Sequence, residues 1–204
     1  GGLTWTFGDP PAPGRAASLR ISKYLARGRG VLAMPDGAWQ LRELGVETLE
    51  RYEFGALRIK RGPDLVHYLV NYDPQGARLP DADEIDLRLP KAHKGLFGDL
   101  ATELGATNLT PRQRVAAVIR HFASDFSYSL AGDPRHRDAP LKTFMSTTRT
   151  GHCEYFATAT VLALRAAGVP ARYATGYSVS EWSELDDSFV VRRRHAHSWA
   201  VALV

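Results

Sequence analysis

The stretch Gly151-His152-Cys153-Glu154-Tyr155-Phe156-Ala157-Thr158, running on through Val161-Leu162-Ala163-Leu164 to Gly168-Val169-Pro170, carries the only cysteine of the 204-residue chain. Small and apolar residues fill almost every turn of it, Gly168 suits the position just past a helix end, and Pro170 forbids continuation. At 3.6 residues per turn Cys153, Phe156, Ala157, Thr160, Val161 and Leu164 share one side, leaving Glu154, Thr158 and Arg165 as a narrow exposed stripe. A helix that is apolar nearly all round is a buried helix. Cys153 therefore stands in the first turn of a core element, beside unpaired backbone N–H groups and the positive end of the dipole, conditions that favour a thiolate.

Working outward, residues 129–150 read as a polar connection with Asp133-Pro134, His136, Asp138 and Pro140, interrupted by Leu141, Phe144 and Met145. A loop of that length in a compact domain often lines or covers a site. Before it, Thr110 as N-cap, Pro111 at the first helical position and Gln113 completing a capping box start a helix. Val115, Val118, Ile119 and Phe122 give that helix, over 111–123, an apolar stripe. Lys91 to Leu104 reads as a further helix with Leu96, Leu100 and Leu104 on one face.

The first ninety residues follow a different pattern. Residues 1–17, with Gly8, Pro10, Pro11, Pro13 and Gly14, read as a loose lead-in. Period-two alternation then marks strands around Leu19 and Ile21, Trp39 and Leu41, Val66 to Tyr72, and Ile85, Leu87 and Leu89. Turn signals at Pro35-Asp36-Gly37, Arg61-Gly62-Pro63-Asp64 and Asp73-Pro74-Gln75-Gly76 separate them. The isolated Trp39, His67 and His93 read as structural or exposed, and His121 and His136 as surface residues. The expectation is a β-rich region over 1–95 followed by an α+β core over 96–204.

After the cysteine helix come a strand over Ala171 to Tyr177, a loop through Glu181 to Asp187, and two strand-like runs, Ser188 to Arg192 and His195 to Val204. In an extended segment His195, His197 and Trp199 share a face. An imidazole from that strand can supply the base a thiol nucleophile needs, and backbone N–H groups at the helix start suit an oxyanion. Gly151, with no Cβ, lets a substrate backbone approach the sulfur. Two other readings of the same residues stand beside this one. A lone cysteine on a core helix can be a small buried hydrophobe. His152, Cys153, His195 and His197 also have zinc-ligand chemistry, although neighbouring residues at a helix start diverge by roughly 100° and rarely both ligate.

Composition bounds the rest. With 44% apolar and 24% charged residues the chain is ordinary globular material. The net charge of +4, with 21 Arg against 5 Lys, comes with no basic stripe interleaved with aromatics, which argues against nucleic acid. Arg192-Arg193-Arg194 is most simply a solvated strand end. One cysteine excludes an intrachain disulfide, and no apolar run approaches the ~18 residues of a membrane span. Gly1-Gly2-Leu3 lacks the marks of a signal peptide.

Residues 151–157, Leu164-Arg165-Ala166-Ala167-Gly168-Val169-Pro170-Ala171-Arg172, Thr175-Gly176-Tyr177 and His195-Ala196-His197-Ser198-Trp199 together resemble the core of bacterial transglutaminase-like proteins. The subgroup most similar is the TgpA type, a core attached to membrane-spanning segments. The resemblance covers about residues 108–204 and implies a papain-like fold, with Cys153 as nucleophile and His197 as general base. It implies no cofactor and no metal. Tyr128 falls where the family often has an aromatic near the pocket. Gly151, His152, His195 and Trp199 are further pocket or orienting candidates, His195 standing where relatives often carry Asp.

The family completes a Cys-His-Asp triad with an aspartate on the strand after the histidine, but this chain stops at Val204, and Asp186 and Asp187 precede His197. The expectation is a chain truncated relative to its gene, weak or inactive for want of the residue that orients the base.

The resemblance implies a thiol acyltransferase or amidase acting on glutamine or peptide-like amides of a protein or peptide substrate. It places the domain on the extracytoplasmic side of a bacterial membrane, in a membrane-anchored parent. The alternative is a catalytically silent interaction module of the cell envelope.

Overall fold

The computed structural model describes residues 3–52, 54–76, 81–131 and 139–204. The chain divides into two compact units, Gly1–Pro80 and Asp81–Val204. Residues 81–95, read from sequence with the β-rich half, belong to the second.

The first unit contains β1 (Trp5–Thr6), β2 (Ala17–Tyr24), β3 (Gly30–Val31), β4 (Ala38–Arg42), β5 (Leu49–Arg51), β6 (Leu57–Ile59) and β7 (Leu65–Tyr72). The alternating segments of the sequence become β2, β4 and β7, which join β1 in an antiparallel sheet of order β1-β4-β7-β2. The lead-in is thus less loose than its prolines imply, because Trp5 and Thr6 pair with Leu41 and Gln40. A second sheet, β3-β6-β5, is built from segments too short to show a period. Leu41, Ile59, Val66, Tyr68 and Val70 form the core between them, and the buried Tyr68 hydroxyl donates to the Ala33 carbonyl at 2.9 Å. Gly37 has φ +76°, and a Cβ there would sit 2.2 Å from the Asp73 carbonyl oxygen, so the turn before β4 requires glycine.

The second unit opens with a turn in place of the expected strand. The alternation of Ile85, Leu87 and Leu89 suggests a strand, but Glu84–Leu87 is a 3-10 turn. Asp83 caps it, accepting from the Glu84 N–H, while Asp86 reaches back to the Asp83 N–H at 3.0 Å. Local capping by two carboxylates wins over a period-two pattern only three apolar residues long.

Next come α1 (Lys94–Glu103), α2 (Pro111–Asp125), β8 (Ser127–Tyr128), α3 (Pro140–Thr143), β9 (Thr150–Gly151) and α4 (Cys153–Ala166). β10 (Ala171–Tyr177), β11 (Glu181–Ser183), β12 (Ser188–Val190) and β13 (Ala196–Ala202) complete the unit. The capping box at Thr110 and Gln113 is formed, with the Thr110 N–H donating to Gln113 Oε1 at 2.9 Å. Val118 and Phe122 are buried as their spacing demands, whereas Ile119 is 57% exposed, so the buried stripe of α2 is narrower than the sequence indicates.

The polar connection is only partly a loop. Leu141, Phe144 and Met145 are buried, on α3 and on the π-helical turn Phe144–Thr148 that follows it. Asp133, Pro134, His136 and Asp138 lie outside the described residues.

α4 is the centre of this unit and packs on α1, α2, β10 and β13. Ala157, Ala159, Val161, Leu162, Ala163 and Leu164 are buried, which is burial on nearly every side, and Glu154 is exposed. Its end is a Schellman cap. Gly168 takes φ +74°, its N–H donates to the Arg165 carbonyl at 3.0 Å, and the Val169 N–H donates to the Leu164 carbonyl at 2.9 Å. The Arg114 guanidinium donates to the Ala167 carbonyl at 2.8 Å and so ties α2 to the end of α4. β10 and β13 form an antiparallel pair, Ala171↔Ala202 to Tyr177↔Ala196, against which the cysteine helix lies.

Candidate active site

Cys153 is the first residue of α4 and half-buried. His152 is the N-cap in extended conformation, and no side chain caps this end of the helix. The His152 carbonyl accepts from the Tyr155 and Phe156 N–H groups at 3.1 and 3.3 Å, so the helical bonding begins there. The His152 ring meets Tyr155 edge-on, with centroids 4.8 Å apart, and its Nδ1 stands 4.0 Å from Glu154 Oε2.

The strand before the helix start is fixed by a short parallel ladder. β8 pairs with β9 in the register Ser127↔Thr150 and Tyr128↔Gly151, and the Ser129 N–H donates to the Gly151 carbonyl at 2.9 Å. Tyr128 is thereby brought beside Cys153, and its ring lies 6.1 Å from that of Phe156, one turn into α4. The residue is 56% exposed, yet its hydroxyl end faces the cysteine. Burial of that end raises the phenol above its ordinary pKa, and the neighbouring Cys153 sulfur adds to the rise while a hydrogen bond from the Cys153 backbone offsets part of it. Gly151 is buried, and a Cβ on it would stand 2.9 Å from Tyr155 Cδ2 and 3.1 Å from Phe144 Cδ2. The space its missing side chain leaves is thus filled by the protein's own aromatic rings.

His197 lies at the start of β13 opposite Gly176, on the sheet against which α4 packs. Its ring runs nearly parallel to that of Trp199, with centroids 6.5 Å apart and an interplanar angle of 22°. Ser198, Ala200 and Ala202 alternate with these two, Ser198 being buried and the alanines packing on the core. Among the described residues no hydrogen bond joins the His197 imidazole to the Cys153 thiol.

His195 departs from the expected extended segment. It ends a 3-10 turn, Arg193–His195, and does not share the strand of His197 and Trp199. The Arg192 N–H donates to His195 Nδ1 at 3.1 Å, which leaves Nε2 as the protonated nitrogen, 3.5 Å from Glu181 Oε2. Glu181 also accepts from Arg192 Nη2 at 2.6 Å and Arg194 Nη2 at 2.7 Å, and these guanidiniums hold its carboxyl below the usual range. Two of the three consecutive arginines therefore secure the base of the β11–β12 hairpin.

The structure thus gathers Tyr128, Gly151 and His152 around Cys153, sets His197 with Trp199 on the neighbouring strand, and holds His195 apart. Among the described residues no three His, Cys, Asp or Glu side chains converge as a metal ion would require. His121 is drawn against Phe122 and Phe126, with centroids 5.3 and 5.4 Å away. Two residues that sequence reasoning passed over matter to this arrangement. One is Asp86, only 1% exposed, whose carboxylate accepts from Arg172 on β10 at 2.9 and 2.6 Å. The other is Gly176, opposite His197.

The sequence profile of the transglutaminase-like superfamily matches residues 98–204, the stretch that holds α4 and the β10–β13 pair. The chain belongs to the transglutaminase-like superfamily. A protein-glutamine gamma-glutamyltransferase of Pseudomonas aeruginosa is 32% identical over 137 residues, covering 65% of this chain and 20% of that protein. YebA of Bacillus subtilis is 29% identical over 120 residues, covering 55% of this chain and 16% of that protein. This transglutaminase-like chain thus spans a fifth or less of the length of these curated relatives.

The crystal structure of the periplasmic domain of TgpA from Pseudomonas aeruginosa superposes with a TM-score of 0.78 at 24% identity, over 99% of this chain and 71% of that one. The likeness shows the transglutaminase-like fold, mixed helices and antiparallel strands with Cys153 on the helix that packs against the sheet. Among the described residues no helix is long and apolar enough to cross a membrane.

Proposed function

We propose that this domain is a thiol acyltransferase or amidase in which Cys153 forms a thioester with the side-chain amide of glutamine or a peptide-like amide. The observation that supports the reading is the place of Cys153 as first residue of the buried α4 in a transglutaminase-like core. As the first residue of α4, the cysteine stands in the turn where backbone N–H groups lack helical partners and the helix dipole is positive.

In this reading His197 takes the thiol proton, and the thiolate adds to the amide carbonyl. The tetrahedral oxyanion is held by N–H groups at the helix start, including that of Cys153. The C–N bond breaks as the imidazolium gives its proton to the departing nitrogen. A primary amine or water then attacks the thioester, His197 accepts its proton, and the thiolate leaves. Transglutamination and hydrolysis share the intermediate and part only at this second step. The substrate is a protein or peptide, and the family resemblance argues for an extracytoplasmic site in a membrane-anchored parent.

Incorporation of dansylcadaverine into a glutamine-rich protein, with ammonia release measured alongside, tests the reading. Either product, lost in Cys153→Ala, is expected. The absence of both from the folded wild-type domain, with no cleavage of the protein's peptide bonds either, would overturn the proposal in favour of a silent interaction module.

A further inference from the structure

Gly176 stands directly opposite His197 in the β10–β13 pair. It is not among the glycines with positive φ, so backbone conformation does not call for glycine there. Space does. A Cβ at this position would lie 2.7 Å from Cη2 of Trp199 and 3.2 Å from Cζ3, distances that cannot be sustained. Trp199, two residues beyond His197, projects from the same face of β13. Its six-membered ring lies across the bare backbone of Gly176. In that seat the indole runs within 22° of parallel to the imidazole. Trp199 remains 42% exposed, so it is not core filling.

We propose that Gly176 is a positioning residue: by offering no Cβ it seats Trp199, and the seated indole holds the His197 imidazole in one orientation. The inference rests on the reading of His197 as general base. An imidazole at the exposed start of a strand has several staggered rotamers open to it. Among the described residues its ring contact is with Trp199. A neighbouring aromatic plane biases such an equilibrium by roughly two- to ten-fold. Adding a methyl group at 176 pushes the indole off its seat and removes that bias.

The test compares dansylcadaverine incorporation by wild type, Gly176→Ala, Trp199→Phe and the double variant. Gly176→Ala is expected to lower kcat by about two- to ten-fold, the size of the lost bias, with KM essentially unchanged, the pattern of a misplaced catalytic group. Phenylalanine does not reach across β10, so Gly176→Ala is expected to add nothing to Trp199→Phe. Wild-type kcat in Gly176→Ala, or independent multiplication of the two effects, would overturn the proposal.

The proton spectrum of the His197 ring, assigned with His197→Gln, gives a readout that needs no turnover. Trp199→Phe in the native Gly176 background folds without a new clash and is expected to shift the ring resonances. Unchanged resonances would overturn the proposal even if Gly176→Ala fails to fold. A wild-type domain without turnover counts against the proposed function, while the spectrum of Trp199→Phe still decides whether the indole orients the His197 ring, and that of Gly176→Ala whether Gly176 seats the indole.

Discussion

The carboxylate of Asp86 and the guanidinium of Arg172 meet through two hydrogen bonds, 2.9 and 2.6 Å long, although 86 residues of sequence separate them. Both side chains are buried, and Arg172 Nη2, which makes the shorter of the two bonds, also donates to the Asp81 carbonyl at 2.8 Å. The pair ties the capped turn at the start of the second unit to β10, the strand that faces His197. Removing one partner leaves the other charge buried without compensation, which costs about 3–5 kcal/mol. Asp86→Ala is expected to lose that much in urea denaturation, and a loss below about 1 kcal/mol would contradict the account.

The same pair gives an acid-side dependence. Hydrogen bonding from Arg172 outweighs burial and holds the Asp86 carboxyl below its ordinary value. A carboxylate whose folded value is depressed stabilises the fold above its unfolded pKa of about 3.9, and that contribution fades as pH falls through the lower folded value. Wild type is therefore expected to lose stability below about pH 4 more steeply than Asp86→Asn, as read by melting temperature across pH 2–6.

Gly151→Ala tests how closely the start of α4 is packed. The new methyl group would press on the Tyr155 and Phe144 rings at 2.9 and 3.1 Å. Overpacking of this kind costs about 1–3 kcal/mol. The expected signature is that loss together with a changed rate of Cys153 alkylation, because Gly151 and Cys153 are separated by one residue.

Gly168→Ala probes the other end of the helix. The φ of +74° is open to glycine, and an added Cβ would also meet Arg114 Nη1 at 3.0 Å. The substitution is expected to cost about 1–2 kcal/mol, seen as a lower denaturation midpoint at unchanged slope.

Much of this architecture is legible in the sequence where the signal is local. The apolar run of α4 with Gly168 and Pro170 after it, the Thr110-Pro111-Gln113 start of α2, and the alternation of β2, β4 and β7 each carry their own instructions. What escapes local reading has partners far away. The period of Ile85, Leu87 and Leu89 is a strand signal, and nothing near it announces that Asp83 will cap a turn or that Asp86 awaits Arg172. His195 shares a parity with His197, but a backbone bond from Arg192 to its ring turns the chain before the strand begins. Gly176 looks like an ordinary strand glycine until Trp199 is placed across it. The grouping of Tyr128 with Cys153 follows from a two-residue parallel ladder too short to carry any pattern.

The central claim, that Cys153 is acylated with His197 as its base, is tested most directly by acid-quenched peptide mass mapping after mixing the domain with a glutamine-containing peptide. The account predicts an adduct on the peptide bearing Cys153, equal in mass to the donor less ammonia. It also predicts that the adduct forms about 10²- to 10⁴-fold more slowly in His197→Gln, the usual contribution of a general base. No adduct at Cys153, or formation at the same rate in His197→Gln, would contradict it.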